Sequence, residues 1–598
     1  MDGNILIETI TSDDPEIRDR TAEELLAGRT AEELIRLAGE VDRFLWRSKN
    51  LYERVRAALF LFAIYRFFLP AAGPGRSEPL PAAAGRMLRG RNWTGALRQL
   101  RPLLGDDPPE PARSAAAEAY YRLAFSLLLD QVHDSIARTA GNEELFQLSR
   151  LDRYPLQVPP IYTTPDPATG LYPLGRDCCP VRIDPCHSGW SDIFFLAMDA
   201  PRSARVVNIS VDIARRGKGP PRPPIECFSR VIDQPALRLV SLDLGVSREI
   251  TSTSDLFDFD SDPLSLLKAG VIASGLVPPT FRDDNLSLLK ILSKLLGRGR
   301  GIELVTRVRH LPPGSRMAVS TTLLAAIITR LMRMTGQIGS PEGELTDRQR
   351  RLVASRAILG EWLGGSGGGW QDAGGLWPGI KIIEGVETRP GDPEDGVSRG
   401  RLLPEYRVIP PEKLSPGIDR TLRESLVLVH GGLARDVGPV LELVTEKYLL
   451  RLEREWQARK RESLYFDRIV AALGKGDMAG LGRWTTEDWE RGTKEIIPGA
   501  ADAYTEELID RVRRRWGEKF YGFLMLGGQA GGGMAFIVDP SIHSRCLEEM
   551  ASLMGEVKER YRRALPFAME PAVFEFSLNG HGIRGELRQG EAARLPEE

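Results

Sequence analysis

Apolar residues recur at helical spacing through the first quarter of the chain. Residues 34–44 and 52–68 place them three and four apart, with Leu59, Phe62, Ile64 and Phe67 among them. Thr21-Ala-Glu-Glu24 and Thr30-Ala-Glu-Glu33 stand ahead of apolar runs as capping boxes do. A Pro/Gly-rich break at 70–81 precedes two further expected helices, near 92–104 and 115–136. No fixed repeat period runs through this region, so a helical array is not expected. A segment rich in Pro, Tyr and Gly at 155–176 reads as a surface linker. Beyond it, short alternating runs such as Arg205-Val-Val-Asn-Ile-Ser-Val211, Leu237-Arg-Leu-Val-Ser-Leu-Asp243 and Ile302-Glu-Leu-Val-Thr-Arg-Val308 predict strands, interleaved with helical stretches. A polar Pro/Gly-rich segment at 385–400 marks a boundary. After it come a strand at Leu426-Val-Leu-Val429, a long helix over 440–460 and a late glycine cluster. The pattern predicts an α+β chain: an all-α domain over 1–155, a linker over 156–176, and α and β regions over 177–400 and 401–598.

Composition narrows the function classes. At 598 residues the chain is too long for one core. Its 80 Lys and Arg nearly cancel its 82 Asp and Glu, so no bulk field draws it to nucleic acid or to a membrane surface. The basic loop at 215–224 lacks interleaved aromatics, and nucleic-acid contact is not expected there. The most apolar stretch, 57–69, carries Arg66 and is shorter than the roughly 20 residues of a membrane span. Residues 1–9 lack the basic start of a secretory leader, and five Cys make no disulfide framework, so a reducing cytoplasmic setting is expected. Cys178, Cys179, Cys186 and His187 match no common zinc spacing.

Three segments concentrate polar chemistry. Pro180-Val-Arg-Ile-Asp184 leads into His187-Ser-Gly-Trp-Ser-Asp192, where an Arg at a strand end and a nearby Asp suit a hydroxylated substrate. Leu311-Pro-Pro-Gly-Ser-Arg-Met-Ala-Val-Ser-Thr-Thr322 runs into an apolar helix at 323–332. Such a helix start offers backbone N–H groups to phosphate and hydroxyls to Mg²⁺, although on this segment alone an ordinary N-cap by Ser320 or Thr321 explains it. Gly364-Gly-Ser-Gly-Gly-Gly-Trp-Gln-Asp372 sets a carboxylate on a glycine-lined shelf, with Glu361 eleven residues earlier at the end of a helical run. One carboxylate to take a proton and another to help hold a metal are what phosphoryl transfer to a hydroxyl requires.

In this order, the three segments resemble the galacto-, homoserine, mevalonate and phosphomevalonate (GHMP) kinases. The resemblance is closest to the kinase half of L-fucokinases and of bifunctional fucokinase/fucose-1-phosphate guanylyltransferases, with heptose kinases next. It extends from about 179 to 539, and Gly369-Trp-Gln-Asp372 is its most specific string. Gly527-Gly-Gln-Ala-Gly-Gly-Gly533 is similar to the family's C-terminal glycine motif. The resemblance implies a bilobal fold, an α/β N-terminal lobe and a ferredoxin-like C-terminal lobe, behind the helical domain. It implies ATP-dependent phosphorylation of a free sugar at its anomeric hydroxyl, with ATP and Mg²⁺ as cofactors. Asp372 and Arg182 would be catalytic. Asp192, Trp190, Gly369 and Gly531 would bind the sugar, and Pro313, Gly314, Ser315, Ser320 and Thr321 the nucleotide. Ser320, Thr321 and Glu361 would serve the metal.

The likeness has departures. Arg316 and Ala318 stand where the family's phosphate loop has glycines, and Gln529 and Ala530 alter the C-terminal motif. Side chains there would crowd a backbone that must wrap phosphates, or Arg316 would compensate by adding a phosphate-binding charge. A GHMP pseudokinase that binds nucleotide or sugar without turnover is therefore the alternative, and a sugar-phosphate nucleotidyltransferase the third reading. Residues 1–155 show no nucleotidyltransferase loop, so a fused guanylyltransferase is not expected there. The helical segment reads as a packing cap, with docking of a protein partner or self-association as its alternative use.

Overall fold

The computed structural model describes residues 4–148, 150–188, 199–260, 262–282, 287–312, 315–364, 369–433, 438–497 and 499–596. The N-terminal region is helical, led by α1 (Ala31–Arg47), α2 (Leu51–Ala63) and α3 (Glu110–Arg138). Thr30 and Glu33 form the full reciprocal capping box on α1, whereas Thr21 caps its own helix from one side only. Past α2 the helix widens into a π-turn (Ile64–Phe68) just ahead of Pro70, which has no N–H to give. The span Leu51–Ala72 is long and apolar enough to cross a membrane by length and composition, but most of it is buried in the protein, packed on α1 and α3.

The strands then follow as β1 (Leu174–Cys179), β2 (Val181–His187), β3 (Arg205–Arg215), β4 (Ile225–Ile232), β5 (Leu237–Ser241), β6 (Val246–Ile250), β7 (Gly301–Val308) and β8 (Gly343–Glu344). Between β7 and β8 lies α4 (Val319–Met334), and after β8 comes α5 (Asp347–Leu363). The remaining strands are β9 (Ile380–Glu384), β10 (Glu405–Val408), β11 (Leu426–His430), β12 (Phe520–Met525), β13 (Gly533–Val538), β14 (Ala572–Leu578) and β15 (Arg584–Arg588). One sheet runs β6-β5-β7-β4-β1-β15-β8. The other runs β10-β9-β3-β14-β11-β13-β12, with β2 added on β3. Within the second sheet, β11, β12, β13 and β14 lie in the antiparallel order fourth-first-third-second, the layout of a ferredoxin-like βαββαβ unit. The expected boundary near 400 does not separate the sheets, since β15 pairs with β1 in the first and β14 with β3 in the second.

Two sequence expectations change. The helix predicted over 440–460 is two helices, Gly438–Leu449 and Glu453–Lys475. Arg451 breaks it, with φ at 51° and a fully buried guanidinium paired with Asp199 and, at 3.2 Å, with Asp19. The segment at 155–176 is not a free linker: Tyr162 is buried and receives a 2.5 Å hydrogen bond from Arg330.

Arg330 and Arg333, one turn apart on α4, both reach the buried Asp177 of β1 at 3.1 Å. Gly175 and Gly585 make room for them, since a Cβ at Gly175 would lie 2.4 Å from the Arg330 guanidinium. This bolt fixes α4 against the first sheet, and with it the helix start that carries Ser320 and Thr321. Asp177→Asn leaves two buried guanidinium groups undercompensated and is expected to cost about 3–5 kcal/mol. Urea unfolding checks this, and an unchanged midpoint contradicts it.

Candidate active site

On β2 the order Val181-Arg-Ile-Asp184 alternates apolar and polar positions, so Arg182 and Asp184 share one face. The pairing of β2 with β3 shifts register between Ile183 and Cys186. Arg182 spans two carboxylates, one guanidinium nitrogen on Asp184 and another on Asp372. Asn208 on β3 donates to Asp184 at 2.8 Å, and His187 Nε2 lies 3.4 Å from the same carboxylate. Burial, and then the Arg182 charge, push His187 well below its ordinary value, so it is neutral.

Asp372 arrives on a 3₁₀ turn, Trp370–Leu376, pressed onto β2 and β3. Gly374 permits this, because a Cβ there would sit 2.4 Å from the Asn208 amide oxygen, and Gly375 likewise faces the Pro180 carbonyl at 2.6 Å. Ser210 Oγ donates to the Trp377 carbonyl at 2.7 Å and accepts from the buried Lys381 at 2.9 Å. One Asp372 oxygen meets Arg182, and the other accepts from the Gly369 N–H at 3.0 Å. The Asp372 side chain keeps 17% exposure against 4% for Arg182 and 0% for Asp184, so Asp372 is the most accessible of the three.

A second group forms where α4 and α5 approach. A Cβ at Gly360 would lie 2.8 Å from Leu324, and this close packing brings Glu361 onto the first turn of α4. Thr321 Oγ1 donates to Glu361 at 2.5 Å, and Ser320 also bonds to that carboxyl. Burial raises the Glu361 carboxyl to about 7, with the nearby Asp372 charge adding to the rise. The helix cap is Ala318, whose side chain cannot accept a hydrogen bond, so Ser320 and Thr321 are not the N-cap that the sequence allowed. The first N–H groups of α4 therefore lack a side-chain cap. Ser315 Oγ is buried with no hydrogen-bond partner among the described residues, while the Ser315 carbonyl accepts from the Gly533 N–H at 3.0 Å.

Arg182, Asp372, Glu361, Ser320 and Thr321 thus come together, with Gly369 holding Asp372. Gly531 lies in a turn with φ at 90°, where a Cβ would meet Leu433 at 2.6 Å. Trp190, Asp192, Pro313 and Gly314 fall outside the described residues. Asp184 and Asn208 were missed as site residues; the alternation in Val-Arg-Ile-Asp was the available signal for Asp184. Two hydroxyls and a carboxylate are hard oxygen donors of the kind that suit Mg²⁺ beside phosphates. Among the described residues no cluster of three or more His, Cys, Asp or Glu forms an all-protein cage, and the five cysteines are free and buried.

No family model matches the chain. It is 24% identical over 370 residues to a bifunctional fucokinase/GDP-fucose pyrophosphorylase of Arabidopsis thaliana, covering 60% of this chain and 29% of that protein. Solved structures that superpose on the chain include a galactokinase from Lactococcus lactis with galactose (13% identity, 69% of this chain, 94% of that one, TM-score 0.45). Others are a D-glycero-D-manno-heptose 1-phosphate kinase from Bacteroides thetaiotaomicron (15%, 69% and 98%, TM-score 0.42) and a mevalonate kinase from Methanococcus jannaschii (12%, 68% and 98%, TM-score 0.41). At these TM-scores no residue role is transferred from them. The alignment to the fucokinase relative covers less than a third of that relative's length.

The loop ahead of α4 carries two non-glycine residues in the left-handed region, Arg316 at φ 64° and Ala318 at φ 56°. Ala318→Gly is expected to stabilise the protein by about 1 kcal/mol by relieving that conformation. Thermal melting should move upward, and a lower melting temperature contradicts the assignment of strain.

Proposed function

We propose that this chain is a sugar kinase, transferring the γ-phosphate of ATP to a free sugar hydroxyl, the anomeric one by its likeness to fucokinases. One observation carries the reading: the Arg182–Asp372 pair lies beside Glu361 and Thr321, at the start of a helix with no side-chain cap. The sugar hydroxyl gives its proton to Asp372 as its oxygen bonds to the γ-phosphorus, and the bond from that phosphorus to the ADP oxygen breaks. Arg182 holds Asp372 in place and favours the negative charge that develops on the attacking oxygen. The first N–H groups of α4 and the Ser315 hydroxyl face the nucleotide phosphates. Ser320, Thr321 and Glu361 would hold Mg²⁺, which would supply charge neutralisation to those phosphates. Asp192 and Trp190 serve the sugar. Five free buried cysteines fit a cytoplasmic setting.

A second reading has its own observation. The Arg316 side chain bonds to Gln529 across the phosphate loop, which a nucleotide-binding protein without turnover tolerates as well. ADP release from Mg·ATP across a panel of free sugars, L-fucose and heptoses included, separates the two. The kinase reading expects sugar-dependent release that falls about 10²-fold or more in Asp372→Asn, with nucleotide binding retained. Nucleotide binding by thermal shift with no turnover on any sugar, or full activity in Asp372→Asn, sinks it.

A further inference from the structure

A cavity of about 420 Å³ opens in the helical N-terminal region, and none of its lining residues belongs to the site described above. One wall is a single face of α1, where Gly39, Asp42, Arg43, Trp46 and Arg47 recur three and four residues apart. Tyr65, on the π-turn that follows α2, and Tyr120 of α3 add two rings stacked 6.0 Å apart. Volume and lining are those of a small-ligand pocket. Asp42, the acidic residue of the lining, is already satisfied. It accepts from the Tyr120 hydroxyl at 2.8 Å, from the Trp46 indole at 2.9 Å and from Arg101 at 2.8 Å.

The charge left over is positive. Arg43 and Arg47 lie one turn apart in the lining and form no ion pair or hydrogen bond among the described residues. The Arg43 guanidinium turns back along the lining face, 4.0 Å from where a Cβ at Gly39 would stand. Two like charges so placed repel, and an anion between them removes that cost. Tyr65 points to a ligand independently. It is 3% exposed, and its hydroxyl has no hydrogen-bond partner among the described residues. Burial, and then the Asp42 charge, push Tyr65 above its ordinary value, so it stays a donor. A buried hydroxyl without a partner is costly, and a ligand oxygen that accepts from it offsets the cost. Trp46 keeps 36% exposure beside these groups and offers a flat apolar face. With one hydroxyl unspent, the lining cannot satisfy the several hydroxyls of a sugar ring, whereas an aromatic ring asks for no such bonds.

We propose that this cavity binds a small anion carrying an aromatic ring, an aryl phosphate or an aryl carboxylate. Its charged group lies on Arg43 and Arg47, its ring lies against Trp46, and Tyr65 donates to one of its oxygens. The site does not rest on the kinase reading, and it gives the helical region a ligand-binding role beyond packing.

The test is isothermal titration of the full chain with phenyl phosphate, phenylacetate, inorganic phosphate and phenol, for wild type, Arg43→Gln/Arg47→Gln and Tyr65→Phe. At least one of the two aryl anions should saturate a site, roughly 10-fold or more tighter than inorganic phosphate or phenol alone. Tighter phenyl phosphate names the phosphate as the charged group and tighter phenylacetate the carboxylate, and either supports the proposal. Both arginines are exposed, so the double variant is expected to keep its melting temperature while losing roughly 10- to 100-fold in affinity. Tyr65→Phe should lose about 3- to 10-fold, with an unchanged or higher melting temperature in the free protein because an unpartnered hydroxyl is gone. Absence of saturable binding by either aryl anion in wild type, or equal affinity in wild type and the double variant, overturns the proposal. Unchanged affinity in Tyr65→Phe with a lowered melting temperature also overturns it and makes Tyr65 a packing group.

Discussion

The Arg182 guanidinium is wedged between two carboxylates in an almost dry pocket, and the surrounding structure is arranged to keep it there. Removing it would strand Asp184, which is fully buried, beside an amide and a neutral imidazole that cannot replace the lost charge. Buried ion pairs rarely add net stability, but a broken one is severely penalised, so such a group selects one arrangement against others. That selection extends outward. Asp372 must reach Arg182, so the 3₁₀ turn must sit flat on β2 and β3, and residues 374 and 375 can then only be glycine. The polar positions of the Arg-Ile-Asp string point one way because a strand alternates, and Asn208 completes the set from the neighbouring strand.

The second half of the site depends on where one helix begins. Asp177 holds α4 by two arginines, and Gly360 lets α5 close against it, so Glu361 lands on Thr321 without any loop having to order itself. A carboxyl raised to about 7 by burial is costly when ionised, and a cation at the same oxygens offsets that cost. The C-terminal glycine turn completes the arrangement by bonding to Ser315 and Arg316, so residues more than two hundred positions apart shape a single loop. The helical N-terminal region is joined to the rest through buried Arg56, which donates at 3.1 Å to carbonyls at both Thr9 and Leu449.

Much of this was legible in the residue order. The strands at 205, 237, 302 and 426, the helix after Val319 and the capping box at Thr30 follow from period and cap chemistry, which are local. The motif strings located Arg182, Asp372, Glu361 and the two hydroxyls, and these do converge. What stayed hidden is tertiary. No local signal says that Arg451 will leave helical geometry to reach Asp199, and it splits a segment whose pattern reads as one helix. The tie between Pro160–Thr163 and α4 exists only because Arg330 needs the Tyr162 hydroxyl. The meeting of Arg316 with Gln529 is likewise invisible in sequence, where nothing links these two altered motif positions to each other.

Phosphorus NMR of the chain incubated with Mg·ATP and its preferred free sugar addresses the central claim most directly. Phosphoryl transfer through Asp372 and Arg182 predicts a new sugar phosphomonoester resonance growing in step with ADP, and neither in Arg182→Gln. Pyrophosphate in place of ADP, or an unchanged ATP spectrum with every sugar, contradicts the account.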